Sequence, residues 1–208
     1  MAINGMMTPL RKETMQNLQL NAGIFLKNLT VSKTSTATAV RTAVKSAITA
    51  GTTLLGATRG GGTFTVTRDM RIPDIDGMRY RFVGGNFVDS VDAYLSTTLV
   101  EVTKQNFIDL LGAHVVTADS GDTAQQLKMD TVIPLSAYIE NLCWVGELSD
   151  GGLVCIYLDN ALNTADFSLT FADKNEGTLA VELHACQDEV NDYDEAPFHV
   201  WFLSDATT

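Results

Sequence analysis

Apolar residues recur along this chain at two spacings, and the switch between them marks its organisation. Residues 17–29 alternate loosely through Leu18, Leu20, Ile24 and Leu26, which predicts a first strand. In residues 32–51, Val40, Val44 and Ile48 recur every fourth position in a segment rich in Ala, Thr and Lys. That period places them on one stripe of a helix over about 37–50, with Gly51 as its stop. From Thr63 the period falls to two. Phe64, Val66 and Met70 face one way, and Thr63, Thr65, Thr67 and Asp69 the other. A turn cluster at 73–77 follows, and residues 79–83 resume as a strand.

Residues 87–102 predict a longer strand. Phe87, Val91, Ala93, Leu95 and Leu99 share one face, while Ser90, Asp92, Ser96 and Thr98 share the other. This is a sheet with one dry side. Thr103 then suits an N-cap for a short helix over about 103–111, closed by Gly112. Residues 113–130 are polar and turn-rich and predict a loop. Strands at 138–148 and 153–158 flank Ser149-Asp150-Gly151-Gly152, a hairpin signal. Further strands are predicted at 167–171, 178–186 and 198–203. The expected architecture is mainly β, a two-sheet sandwich or barrel, as one domain over residues 1–208. The polar residues 1–17 are expected as an N-terminal arm.

Composition sharpens this picture. Charged residues are 19% of 208, and Asp and Glu outnumber Lys and Arg by 25 to 14, giving a formal net charge of -11. Such a chain is unsuited to wrapping duplex DNA or docking on anionic membranes, both of which need basic surfaces. No run is long enough for a membrane-spanning helix, and residues 1–14 hold no apolar run of the signal-sequence kind. The three cysteines, Cys143, Cys155 and Cys186, lack C-x-x-C spacing and are expected as free thiols made in a reducing cytoplasm.

Little in the sequence carries catalytic chemistry. His114, His184 and His199 have no paired ligand spacing. The segment Gly56 to Gly62 lacks the lysine of a phosphate loop and precedes a strand rather than a helix. Asp74-Ile75-Asp76-Gly77 begins like a calcium loop without its distal glutamate, so it reads as a turn. Acidic residues at 188–195 read as a solvated loop. No enzyme activity, metal or cofactor is therefore expected. Trp144, Trp201, Tyr138, Tyr157 and Phe198 leave two readings, core packing or a sugar-stacking platform, with packing the better fit to the strand alternation. A monomeric β-sandwich binding carbohydrate or a cell surface is thus the alternative function.

Three stretches, in order, carry a resemblance. The first is Leu55-Gly56-Ala57-Thr58-Arg59-Gly60-Gly61-Gly62-Thr63-Phe64, running through Arg71 and Asp74 to Gly77. The second runs from Ser90 to Glu101 and on to Leu110-Leu111-Gly112. The third is Asn160-Ala161-Leu162-Asn163-Thr164, then Asp173-Lys174-Asn175-Glu176-Gly177 and Pro197-Phe198-His199-Val200-Trp201. Together they resemble the major tail (tail tube) proteins of bacteriophages with long, non-contractile tails. The resemblance implies a β-sandwich with a flanking helix, self-assembled into stacked hexameric rings forming a hollow tail tube in the virion. Implied partners are further copies of the chain and the tape-measure, tail-tip and tail-terminator proteins, with DNA as a passing cargo. With about four strands per subunit at about 4.8 Å spacing, the inner barrel would be roughly 37 Å across, wide enough for a duplex. An acidic wall would let DNA slide rather than trap its phosphates. On this reading Asp69, Ser90, Asp92, Ser96 and Thr98 line the lumen.

Overall fold

Local signals start and stop the elements, and the apolar pattern then packs them. The computed structural model describes residues 12–19, 21–117, 125–129, 131–187 and 195–203. In chain order these hold α1 (Lys12–Gln16), β1 (Ile24–Leu26), α2 (Ala37–Ala50), β2 (Thr58–Arg71), β3 (Phe87–Leu99) and α3 (Lys104–Leu111). Then come β4 (Ala113–Thr117), β5 (Gln125–Met129), β6 (Ile139–Glu147), β7 (Leu153–Asn163), β8 (Leu169–Thr170), β9 (Thr178–Cys186) and β10 (Phe198–Leu203). Of the expected N-terminal arm, residues 1–11 lie outside the described residues, and α1 occupies most of the rest.

Both longer helices are capped as their sequences predict. The Thr36 hydroxyl accepts from Ala39 N at 3.3 Å, and Gly51, at φ 68°, donates to Ala47 O and ends α2. Thr103 accepts from Asn106 N at 3.1 Å at the start of α3. The buried stripe of α2 is Val40, Val44 and Ala47, whereas Ile48 is 43% exposed. A strict four-residue spacing drifts by about 80° over two steps of a 3.6-residue helix, which carries Ile48 off the packed face.

Hydrogen bonding joins eight strands in one sheet rather than the two sheets expected from the sequence. Its order is β1-β6-β7-β9-β3-β2, with β10 added to β7 and β8 to β9. The branch is at β7, whose residues 153–158 pair with β10 and whose residues 160–163 pair with β9. Two halves result, β1-β6-β7-β10 and β9-β3-β2, and they face each other across one core. Phe25, Leu142, Ile156 and Leu158 from the first half pack there with Leu95, Leu99, Leu179, Val181 and Leu183 from the second. Phe64 of β2 meets Phe198 of β10 edge to face at 5.6 Å. A second core lies on the other side of the first half, where α2 covers Leu26, Val145, Tyr157 and Leu203. The first half is therefore packed on both faces apart from the exposed Val200 and Phe202, and the second on one.

Three expectations are corrected. Residues 113–130 are not simply a loop, because β4 and β5 pair as a separate antiparallel ribbon from Ala113↔Met129 to Thr117↔Gln125. Residues 79–83 form no strand: Tyr80 is 84% exposed, and with no neighbouring strand its backbone has no ladder to join. The cysteines are not all free. Cys143 and Cys155 form a disulfide, leaving Cys186 as the free thiol. Hairpin register causes this, since Cys143↔Tyr157 and Val145↔Cys155 set the two sulfurs diagonally on one face of β6 and β7.

One ion pair ties α3 to the strand layer. Lys27, just after β1, meets Asp109 of α3, with side chains only 12% and 13% exposed. Asp109 also accepts from Gln105 Nε2 at 2.7 Å. Lys27→Ala is expected to cost about 2 kcal/mol, because it strands a nearly buried carboxylate. Chemical denaturation would measure this, and the double replacement Lys27→Met with Asp109→Leu should recover most of it.

Candidate assembly surface

The candidate surface is the outer face of the β9-β3-β2 half, which no element covers among the described residues. Register builds it. Thr63, Thr65, Thr67 and Asp69 of β2 stand opposite Ser96, Tyr94, Asp92 and Ser90 of β3, and β9 adds Ala180, Glu182 and His184 opposite Thr98, Ser96 and Tyr94. Directly opposed residues share a face. The five residues proposed for the lumen, Asp69, Ser90, Asp92, Ser96 and Thr98, thus lie together on one polar surface. The first three are exposed and the other two half-buried. Their strand neighbours Ala93, Leu95 and Leu99 point into the core.

Hydroxyls and acids organise this surface. Thr63 Oγ1 and Ser96 Oγ lie 2.7 Å apart across the strands. His184 bridges two carboxylates, with Nδ1 2.8 Å from Asp92 Oδ1 and Nε2 3.3 Å from Glu182 Oε1, and its ring stacks on Tyr94 at 4.6 Å. Sequence spacing gave no sign of this cluster, because His184 and Asp92 are brought together only by the pairing of β3 with β9. Among the described residues, no group of three or more His, Cys, Asp or Glu side chains is placed to hold a metal ion. No helix among them is long and apolar enough to cross a membrane.

The surface ends at an open strand edge. β2 pairs with β3 on one side, and no described strand pairs with its other side. Near its start the strand bulges, with the partners shifting from Thr58↔Leu99 to Gly62↔Thr97. Thr97 Oγ1 donates to Gly61 O at 2.7 Å inside the bulge. Arg59 leaves it to pair with Glu176 at the β8–β9 turn, and this hydrogen bond holds the Glu176 carboxyl below its usual range. Between the bulge and Asp69 the edge is regular, proline-free and rich in β-branched residues. Such an edge is a template for a further strand.

The aromatic residues form no common platform. Trp144 and Phe198 border the core between the halves, whereas Tyr157 and Trp201 pack beneath α2 in an edge contact of 5.4 Å. The Trp144 indole N–H donates to Ala22 O at 3.0 Å. The Tyr157 hydroxyl donates to Val31 O at 3.3 Å and also contacts Asn141 Oδ1. Burial, with Asp159 nearby, pushes the Tyr157 phenol up to about 12. Below pH 10 the phenol is neutral whether folded or unfolded, so its full contribution is present. Between pH 10 and about 12 the unfolded chain ionises first, and stability of order 2 kcal/mol is lost. Tyr157→Phe is expected to remove that alkaline loss, as urea unfolding between pH 9 and 12 would register.

The chain matches no protein-family model, and no curated protein gives a significant match to it.

Proposed function

We infer that this chain is a structural subunit of a phage-type tail tube, which assembles into stacked hexameric rings around a channel for DNA. One observation carries the reading: a polar, acid- and hydroxyl-bearing sheet face ends at the outer edge of β2, a fourteen-residue strand paired only with β3 among the described residues, on a sheet whose other face packs into the core. An edge of that length left open in water invites aggregation unless a copy of the chain completes it. Repeating the addition around a ring would join the polar faces into one continuous wall. Asp69, Asp92 and Glu182 would give that wall the negative charge that keeps DNA mobile. The resemblance of the sequence to tail tube proteins points the same way, and by that resemblance the tube would meet tape-measure, tail-tip and terminator proteins in the virion.

Electron microscopy of concentrated protein tests the reading, with rings or tubes having a channel wider than about 20 Å expected. Labelling then locates the face. Ser96→Cys, on a Cys186→Ala background, should react with a small maleimide in both free and assembled protein. A maleimide carried on a large polymer should reach it only in free subunits. Equal access to both reagents in assembled tubes would place the face outside, and a stable monomer that binds sugars would end the proposal.

A further inference from the structure

The disulfide of this chain is enclosed on every side. Register places Leu26, Cys143, Tyr157 and His199 in one row across β1, β6, β7 and β10, and Ile24, Val145, Cys155 and Trp201 in the next. The two sulfurs therefore sit on the central strands of a four-stranded floor, with a further strand on each flank. The other face of that floor is the main core, filled by Leu142, Ile156 and Leu158. The face that carries the sulfurs is covered by Leu29 and Val31, then by Val40, Val44 and Ala47 of α2. Both cysteines are 0% exposed. Thiol–disulfide exchange needs a thiolate to touch a sulfur, so reduction waits for part of this enclosure to open.

α2 is the part that can open alone. Its packed stripe is two valines and an alanine, and its other positions are half-buried or exposed. It shares no ladder hydrogen bonds, whereas β1, β6, β7 and β10 are laced together. Lifting it leaves the leucines between the two halves in place. Elements with few buried apolar contacts open at less cost than the whole domain.

We propose that α2 is a lid over a redox-active Cys143–Cys155 pair, which exchanges with thiols in solution only while the helix is lifted. The chemistry balances as disulfide exchange. A dithiol such as dithiothreitol gives up two electrons and two protons, its own sulfurs join in a ring, and Cys143 and Cys155 become thiols. Oxidation by a disulfide reagent is the reverse. Cys186, on β9, lies outside the enclosure and takes no part. For as long as α2 stays down, the chain carries the redox state in which it folded into a medium of the opposite kind.

Counting thiols with iodoacetamide tests this. In urea without reductant the protein should take one label, on Cys186, and after full reduction three. Three labels at the outset would overturn the proposal. Native protein is then held in dithiothreitol, and samples are unfolded into the label at intervals. Two matched truncations separate local lifting from global unfolding. Val44→Ala thins the lid and should speed reduction about tenfold, whereas Val181→Ala makes the same change in the main core and should leave the rate within about twofold. Equal acceleration by both would mean that the bond opens through global unfolding, and acceleration by neither that it is attacked in the closed molecule. Either result ends the idea. Gly51→Ala is a second lid variant, at an exposed cap with φ 68° and open space around it. It should keep its circular dichroism and speed reduction about fivefold, because lifting relieves the strained cap; an unaltered rate would count against the lid.

Discussion

Leu158→Ala is expected to destabilise the protein by about 3–5 kcal/mol and to lower its melting temperature by roughly 10–15 °C. Leu158 is fully buried at the branch of the sheet, paired with Leu142 of β6 on one side and Phe198 of β10 on the other. Removing its side chain opens a cavity where both halves meet, and a strand bonded on two sides cannot collapse to fill it. The loss approaches the whole stability of many domains, so the variant should be poorly soluble when expressed. Phe171→Ala is the control, because that ring is exposed and its loss should change stability by less than about 0.5 kcal/mol. Thermal unfolding of the two variants side by side measures the contrast; equal melting temperatures would mean that Leu158 is not packed as described.

Gly62→Val should cost about 3 kcal/mol or more and abolish assembly. A Cβ at Gly62 would sit 2.6 Å from Ser96 O and 3.3 Å from the Phe25 ring. The first contact is with backbone in the paired strand, which cannot swing aside, so β2 must lift away from β3 where the regular edge begins. Gly60, two residues earlier, provides the comparison. It has open space around it but a φ of 78°, so Gly60→Ala should cost only about 1–2 kcal/mol of backbone strain. Unfolding curves give both values, and sedimentation reports assembly. Normal rings from Gly62→Val would show that the β2 edge is not used.

Much of this architecture was legible because short-range rules decide it. Thr36 and Gly51 delimit α2, Thr103 and Gly112 delimit α3, and alternation in 93–99 sorted polar from core residues before any pairing was known. Phe87 and Val91, expected on the dry face, are instead exposed, because the strand there has no layer behind it. Contacts made through strand register were not legible. Asp92 and His184 are ninety-two positions apart and meet through strand register, and Cys143 and Cys155 meet diagonally across a hairpin. The β4–β5 ribbon escaped because most of its described side chains are exposed. Val115 and Leu127 face each other, but Gln125, Gln126 and Lys128 supply no apolar alternation. The error at 79–83 is the converse. Tyr80 and Phe82 alternate like a strand, yet Gly84, at φ 86°, turns the chain and no ladder is within reach.

The sheet also orders events during synthesis. β2 and β3 leave the ribosome early, but β9, which pairs with the other side of β3, comes from residues 178–186, near the C-terminal end of the sequence. A nascent chain lacking β9 holds β2 and β3 only as a hairpin without the lateral strand that adds Leu179, Val181 and Leu183 to the shared core, and chains fold from the N-terminus as they emerge. Neighbouring chains on one messenger therefore present no sheet-supported β2 edge until β9 has emerged. Ribosome-stalled chains ending near residue 170 should leave β2 and β3 sensitive to protease, whereas chains extended past β10 should protect them.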